Sequence, residues 1–167
     1  VIKMMDGSNV EMLNADAEGR MILADALHYA KRYDPMLVID IATLTGAASA
    51  TVGRIATVAV AKNSESHYTS LEAAGLATYE RLVRLPWWGE YGEMIESKIA
   101  DLKNTGGKHA GTITAGKFLE HFTAYPWIHL DIAGPAFLTA RDGYRGIGGT
   151  GVGVRMMFEF IRSLAKK

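Results

Sequence analysis

Two short apolar runs, Met36 to Ile41 and Ile55 to Ala61, constrain this chain more than any other feature. Each has the length of a strand and is apolar along both faces, which suits a sheet covered on both sides. Around them the periodicity turns helical. Leu23, Ala26, Leu27 and Ala30 fall at 3.6-residue spacing in a helix expected from Gly19 to about Tyr33, which Pro35 helps to end. Further helices are expected over 65–83, 90–99, Thr112 to Thr123 and Val152 to Leu164, with a strand from Trp127 to Ile132. Val1 to Met5 and Val10 to Leu13 read as two strands joined by the turn Asp6-Gly7-Ser8-Asn9, where Gly7 suits positive φ. Thr43 to Gly53 reads as a loop entering a short helix, and Leu85 to Trp88 as a loop broken at Pro86. Lys103 to Gly111 should be a polar surface loop, and the Gly-rich segment 139–150 a mobile one. Helices alternating with buried strands predict an α/β sandwich.

A length of 167 residues suits one domain over 1–167, able to bury roughly 70% of its unfolded surface. The charges balance at 18 against 18, which argues against a long-range field for nucleic acid or an acidic membrane. The absence of cysteine excludes disulfides, thiolate metal sites and a cysteine nucleophile, and fits a reducing compartment. No apolar run reaches the roughly 18 residues of a membrane span, so no membrane partner is expected. The sequence opens at Val1 and runs directly into a strand, and it is read as a piece of a longer protein.

Chemistry concentrates in Asn14-Ala15-Asp16-Ala17-Glu18-Gly19-Arg20. Asp16 and Glu18 offer hard oxygen ligands to a divalent cation, for which carboxylates suit Mg²⁺ and Mn²⁺ and are accepted by Zn²⁺. In an extended segment the two side chains share a face. The amides at the start of the following helix favour an anion, and Arg20 can hold a carboxylate or bicarbonate by two parallel bonds. Two other readings compete. Acidic residues before a helix often serve as caps, and on residue types alone that reading stands level with metal binding. Asn14, Asp16, Glu18, Gly19 and Asp25 also approach the spacing of a calcium loop, although a turn rather than a helix precedes them. Elsewhere, Gly146 to Gly151 formally matches G-x-G-x-x-G, but the preceding strand and the later acidic residue that a dinucleotide site needs are missing. His129 alternates with Asp131 on a strand and should be buried and hydrogen-bonded. Trp87 and Trp88 suit apolar packing or a subunit contact more than a substrate wall.

The same seven residues, with Met21, resemble the N-T-D-A-E-G-R-L signature of the leucyl aminopeptidase family of two-metal exopeptidases, with Ala15 and Met21 as departures. The likeness continues in Leu23 to Leu27, Asp40 to Ala47, Arg84 to Pro86, Ala100 to Asn104, Ala110 to Ala115 and His129 to Gly134. It implies the C-terminal part of a catalytic domain: a three-layer α/β/α sandwich with a mixed central sheet, here incomplete. By position, Asp16 and Glu18 look like metal ligands, with Glu18 bridging two ions (Mn or Zn, Mg being a third option). Arg20 looks like the catalytic residue that holds a bicarbonate acting as general base. Thr43, Leu44, Gly46 and Ala133 look like substrate-binding positions, Leu44 through its carbonyl and Gly46 through its amide.

The resemblance further implies peptide substrates with apolar first residues and a homohexamer in the full-length protein. It also implies a gap. In that family a metal-binding lysine, a catalytic lysine and two metal-binding aspartates lie upstream of the signature. Two carboxylates alone do not offset the dehydration of two ions, so the 167-residue chain by itself is expected to bind metal weakly and hydrolyse little. A non-catalytic binding or assembly module on the same fold is the alternative from a different class, with little support for nucleic acid from the balanced charge.

Overall fold

The computed structural model describes residues 1–165. It opens with a hairpin, β1 (Ile2–Lys3) and β2 (Asn9–Glu11), closed by a turn in which Gly7 has φ 96°. The Asp6 carboxylate braces that turn by accepting from the Ser8 amide at 2.9 Å. A 3-10 turn, Ala15–Ala17, leads into α1 (Gly19–Ala30). A second 3-10 turn follows α1, and the left-handed Asp34 ahead of Pro35 stops the helical path. Then come β3 (Val38–Ala42), α2 (Gly46–Val52), β4 (Thr57–Lys62), α3 (Glu65–Ala77) and β5 (Leu82–Arg84). The chain continues through α4 (Glu90–Glu93), β6 (Leu102–Lys103), α5 (Gly111–Glu120) and β7 (Trp127–Asp131). It closes with β8 (Phe137–Leu138), β9 (Gly148–Gly149) and α6 (Val154–Leu164).

The central sheet has the order β3-β7-β4-β5 and is mixed. β3 runs parallel to β7, β7 antiparallel to β4, and β4 parallel to β5. Alternation along the strands feeds two separate cores. Val60 and Trp127 face α1 and α5, together with Met21, Ala24, Leu27, Phe118 and Phe122. Ala59, Ala61, Ile128 and Leu130 face α3 and α6, with Leu71, Ala74, Met156 and Phe160. The result is the expected three-layer α/β/α sandwich. A second sheet, β1-β2-β6, packs beside the first core through Val10 and Leu102. No helix among the described residues is long and apolar enough to cross a membrane.

Several sequence expectations need correction. The helix expected over 65–83 ends at Ala77, and Leu82–Arg84 pairs with β4 instead. The reversal rests on Tyr79 at φ 61°, a left-handed tyrosine that no glycine or proline announces. The helix expected over 90–99 covers only Glu90–Glu93. The loop expected from Lys103 begins as a strand parallel to β2, and its Asn104 has no exposed surface. The segment 139–150, expected as a loop throughout, contributes β9, which pairs with β8, and an isolated bridge between Asp142 and Arg145.

Glu80, in the short link between α3 and β5, is 7% exposed. Its carboxylate accepts from the amides of Gly153 (3.1 Å) and Met156 (2.9 Å) at the start of α6, and from Arg155 Nε (3.1 Å). One side chain therefore caps α6 and locks it to the α3–β5 link. Replacing Glu80 by alanine should lower stability by about 2–4 kcal/mol, since buried donors lose a charged acceptor, as read from equilibrium denaturation. An exposed glutamate such as Glu90 changed to alanine should shift the midpoint far less.

Candidate active site

β3 and β7 are parallel, so their carboxyl ends meet at one edge, with Ala42 opposite Asp131. Ligands in open α/β sheets bind outside such edges. The chain leaving β3 reaches Thr43 and Leu44 and turns into α2, capped by Thr45, whose hydroxyl accepts from the Ala48 amide at 3.1 Å. The chain leaving β7 reaches Ile132 and Ala133. At Gly134 a Cβ would sit 2.0 Å from the Gly53 carbonyl oxygen, so only glycine lets this segment close against the end of α2.

One buried carboxylate joins the two segments. Asp131, with no exposed surface, accepts from the amides of Leu44 (3.1 Å) and Ala133 (3.2 Å) through Oδ1. Its Oδ2 accepts from the Thr45 hydroxyl at 2.6 Å, which also meets the Thr112 hydroxyl of α5 at 2.8 Å. The sequence-expected substrate positions Leu44 and Ala133 are thus held by a common acceptor, and Gly46 opens the helix beside them.

On the adjoining side, Asp16, Glu18, Arg20, Thr43 and Leu44 line a single open cleft of about 540 Å³, with Leu23, Ala26 and Ala42 as part of its wall. Five of the seven positions singled out from the sequence therefore share one concavity. Gly46 and Ala133 lie outside that lining. Asp16 and Glu18 do not sit on an extended segment, as expected, because Ala15–Ala17 is a 3-10 turn and Glu18 is helical at φ −71°, ψ −36°. The turn itself, rather than strand alternation, brings both to the cleft. Its N-cap is Asn14, whose side chain accepts from the Asp16 amide at 3.0 Å.

Capping does not explain the acidic pair. Glu18 stands at the N-cap of α1 without a side-chain cap bond. Neither carboxylate forms an ion pair with a described residue, and both side chains belong to exposed residues. The calcium-loop reading fails on Asp25, which lies inside α1 with its carboxylate accepting from the Met5 amide at 2.9 Å. Among the described residues no three His, Cys, Asp or Glu side chains form a metal-binding group. Two unengaged carboxylates on an open cleft fit part of a divalent-metal shell and require further ligands.

Arg20 is half-buried, and its Nη1 donates to the Asn104 carbonyl at 2.8 Å. Burial pulls its pKa down and the Asp131 charge pushes it back up, and a guanidinium stays charged through this range. Its Nε is buried without an acceptor among the described residues, a donor left over for an anion. Asn104 is a site residue that the sequence reading missed, as is Asp131. The Asn104 side-chain oxygen accepts from the amides of Leu13 (2.9 Å) and Asn14 (3.3 Å), and its Nδ2 donates to the Asn14 carbonyl at 2.7 Å.

His129 is buried, as expected, but its partner lies across the strand pair. Nδ1 meets Asp40 Oδ1 at 2.5 Å, and Trp127 Nε1 donates to Asp40 Oδ2 at 2.6 Å. Trp87 packs at 6.2 Å from Trp127 and donates to Glu120 at 3.2 Å, while the exposed Trp88 stacks on Tyr91. Neither tryptophan lines the acidic cleft.

The family model for the cytosol aminopeptidase family, catalytic domain, matches residues 1–158. A probable cytosol aminopeptidase of Geobacter sulfurreducens is 49% identical over 99% of this chain, which covers 34% of that protein. The chain thus spans about a third of the length of the curated relatives it matches. Among solved structures, the bottromycin maturation enzyme BotP superposes with a TM-score of 0.94 at 35% identity, covering 100% of this chain and 38% of that one. The same enzyme has been solved in complex with Mn. A tomato leucine aminopeptidase mutant superposes with a TM-score of 0.87 at 37% identity, covering 93% of this chain and 30% of that one.

Changing Asp131 to alanine strands two amides and a hydroxyl. Stability should fall by about 3 kcal/mol or more, and hydrogen exchange at the Leu44 and Ala133 amides should accelerate beyond the change at Val58. Unchanged exchange at both would remove Asp131 from this role.

Proposed function

The chain belongs to the cytosol aminopeptidase family, and from that premise we propose that it is the metal-carboxylate part of a peptidase removing N-terminal, preferably apolar, residues from peptides. The observation that carries the reading is the shared cleft: two carboxylates free of ion pairs beside an arginine with an unsatisfied donor. In this reading Asp16 and Glu18 would hold a pair of divalent ions, manganese or zinc, with Glu18 serving as a ligand to both. The relative solved with Mn supports the choice of metal class. Such ions, when bound, polarise a scissile carbonyl and lower the pKa of water.

The remaining work falls to the protein. The Leu44 carbonyl and Gly46 amide orient the peptide backbone, in a loop that Asp131 keeps rigid. Thr43 and Ala133 border the first side chain. Arg20 would hold a bicarbonate through its Nε donor, and that anion would supply a general base beside the cleft. In this reading the whole protein acts in the cytoplasm as a homohexamer. The 167 residues described by this sequence supply too few anionic ligands to act alone, and they fold as one domain.

In the full-length protein, Glu18→Ala should abolish hydrolysis of a leucine anilide and remove metal from the purified enzyme. Near-normal turnover with full metal content would overturn the bridging role. Arg20→Ala should slow turnover about a hundredfold or more, the size of a lost acid–base contribution, with metal content retained. The isolated 167-residue chain should show little or no hydrolysis in the same assay, and robust turnover would refute the need for further ligands.

A further inference from the structure

We propose that Asn104 is a positioning residue that sets metal affinity by clamping the turn bearing Asp16 and Glu18, a role that rests on the metal-site reading above. Asn104 comes from the end of β6, more than 80 residues from the carboxylates, and is completely buried. It engages the start of the acidic turn from one side through both polar atoms of its side chain. Its side-chain oxygen takes the Leu13 and Asn14 amides, at 2.9 and 3.3 Å. Its side-chain nitrogen donates to the Asn14 carbonyl at 2.7 Å. Its own amide donates to the Glu11 carbonyl at 3.0 Å, and its carbonyl accepts from Arg20 at 2.8 Å.

These contacts fall on the base of the turn and leave its tip free. Asn14 is the residue whose side chain caps the Asp16 amide, so fixing Asn14 at both its amide and carbonyl fixes where Asp16 begins. Arg20 follows one helical turn later and is anchored to the same residue. Asn104 therefore sets the separation between the acidic pair and the arginine. Neither Asp16 nor Glu18 forms an ion pair with a described residue to hold it in place. Two mutually repelling carboxylates on an unbraced turn would spread apart when no cation lies between them. A rigid base keeps them close enough to share one, which is preorganisation of a ligand set.

The test uses the full-length protein with Mn²⁺ as the probe. Calorimetric titration of the metal-free Asn104→Ala variant should show affinity weakened at least tenfold relative to the natural protein. Hydrogen exchange at the Leu13 and Asn14 amides should accelerate in the metal-free state. Raising Mn²⁺ should restore most turnover, with the peptide KM within about twofold, which a general folding defect would not allow. Should the alanine variant lack a cooperative melt, Asn104→Asp is read instead. It keeps the acceptor for both amides but sets an oxygen against the Asn14 carbonyl, and the same weakening is expected. Mn²⁺ affinity within twofold of the natural protein in the folded variant would overturn the proposal while leaving the metal site intact. Absence of Mn²⁺ binding by the natural protein would instead overturn the metal-site reading, and this proposal with it.

Discussion

The Asp131 carboxylate sits with no solvent contact between the ends of two parallel strands, and the geometry of the cleft follows from how it is satisfied. A buried anion is costly unless every lone pair has a partner. Here the partners are the Leu44 amide, the Ala133 amide and the Thr45 hydroxyl, and Thr45 in turn meets Thr112. Those four groups come from the β3–α2 loop, the β7 exit and α5. The charge can be buried only if all three converge, so the requirement for solvation fixes the loop that brings Leu44 to the cleft wall. The same charge favours Arg20, whose burial works against its own ionisation.

Around that anchor the molecule divides its labour between layers. The α3 and α6 side is a continuous apolar core sealed by Glu80, and no expected site residue lies in it. The α1 and α5 side carries the polar insertions: Asp40 with His129 and Trp127, Asp131 with its loop, and Asn104 beneath the acidic turn. Buried polar groups specify position because an unmet partner is penalised more than a met one is rewarded. The concentration of such groups on one face matches the face on which the carboxylates and Arg20 gather.

Much of this was legible in the residues. The buried strands at Ile55 to Ala61 and Trp127 to Ile132, and the helices at 19–33 and 152–164, were read to within a few positions because long apolar periodicity reports burial directly. The strand at Leu82–Arg84 was not, since three residues carry no period and only pairing with β4 makes them a strand. Asn104 stayed hidden for a related reason. In a polar, Gly-rich stretch an asparagine looks like a turn residue, and its value depends on Leu13 and Asn14, about ninety positions away. The acidic pair was found for its chemistry, but its backbone was misjudged as extended, because a three-residue 3-10 turn leaves no periodic mark.

β3 lies at the border of the central sheet, hydrogen-bonded to β7 on one side only among the described residues. Its sequence, Val-Ile-Asp-Ile-Ala, has neither the lysine nor the proline that proteins use to blunt such a margin, and Ile41 is 39% exposed. The strand's outer row of amides and carbonyls, without a strand partner among the described residues, is a template for zipping up a further extended segment. A segment pairing there would widen the same pleated surface beyond Val38–Ala42.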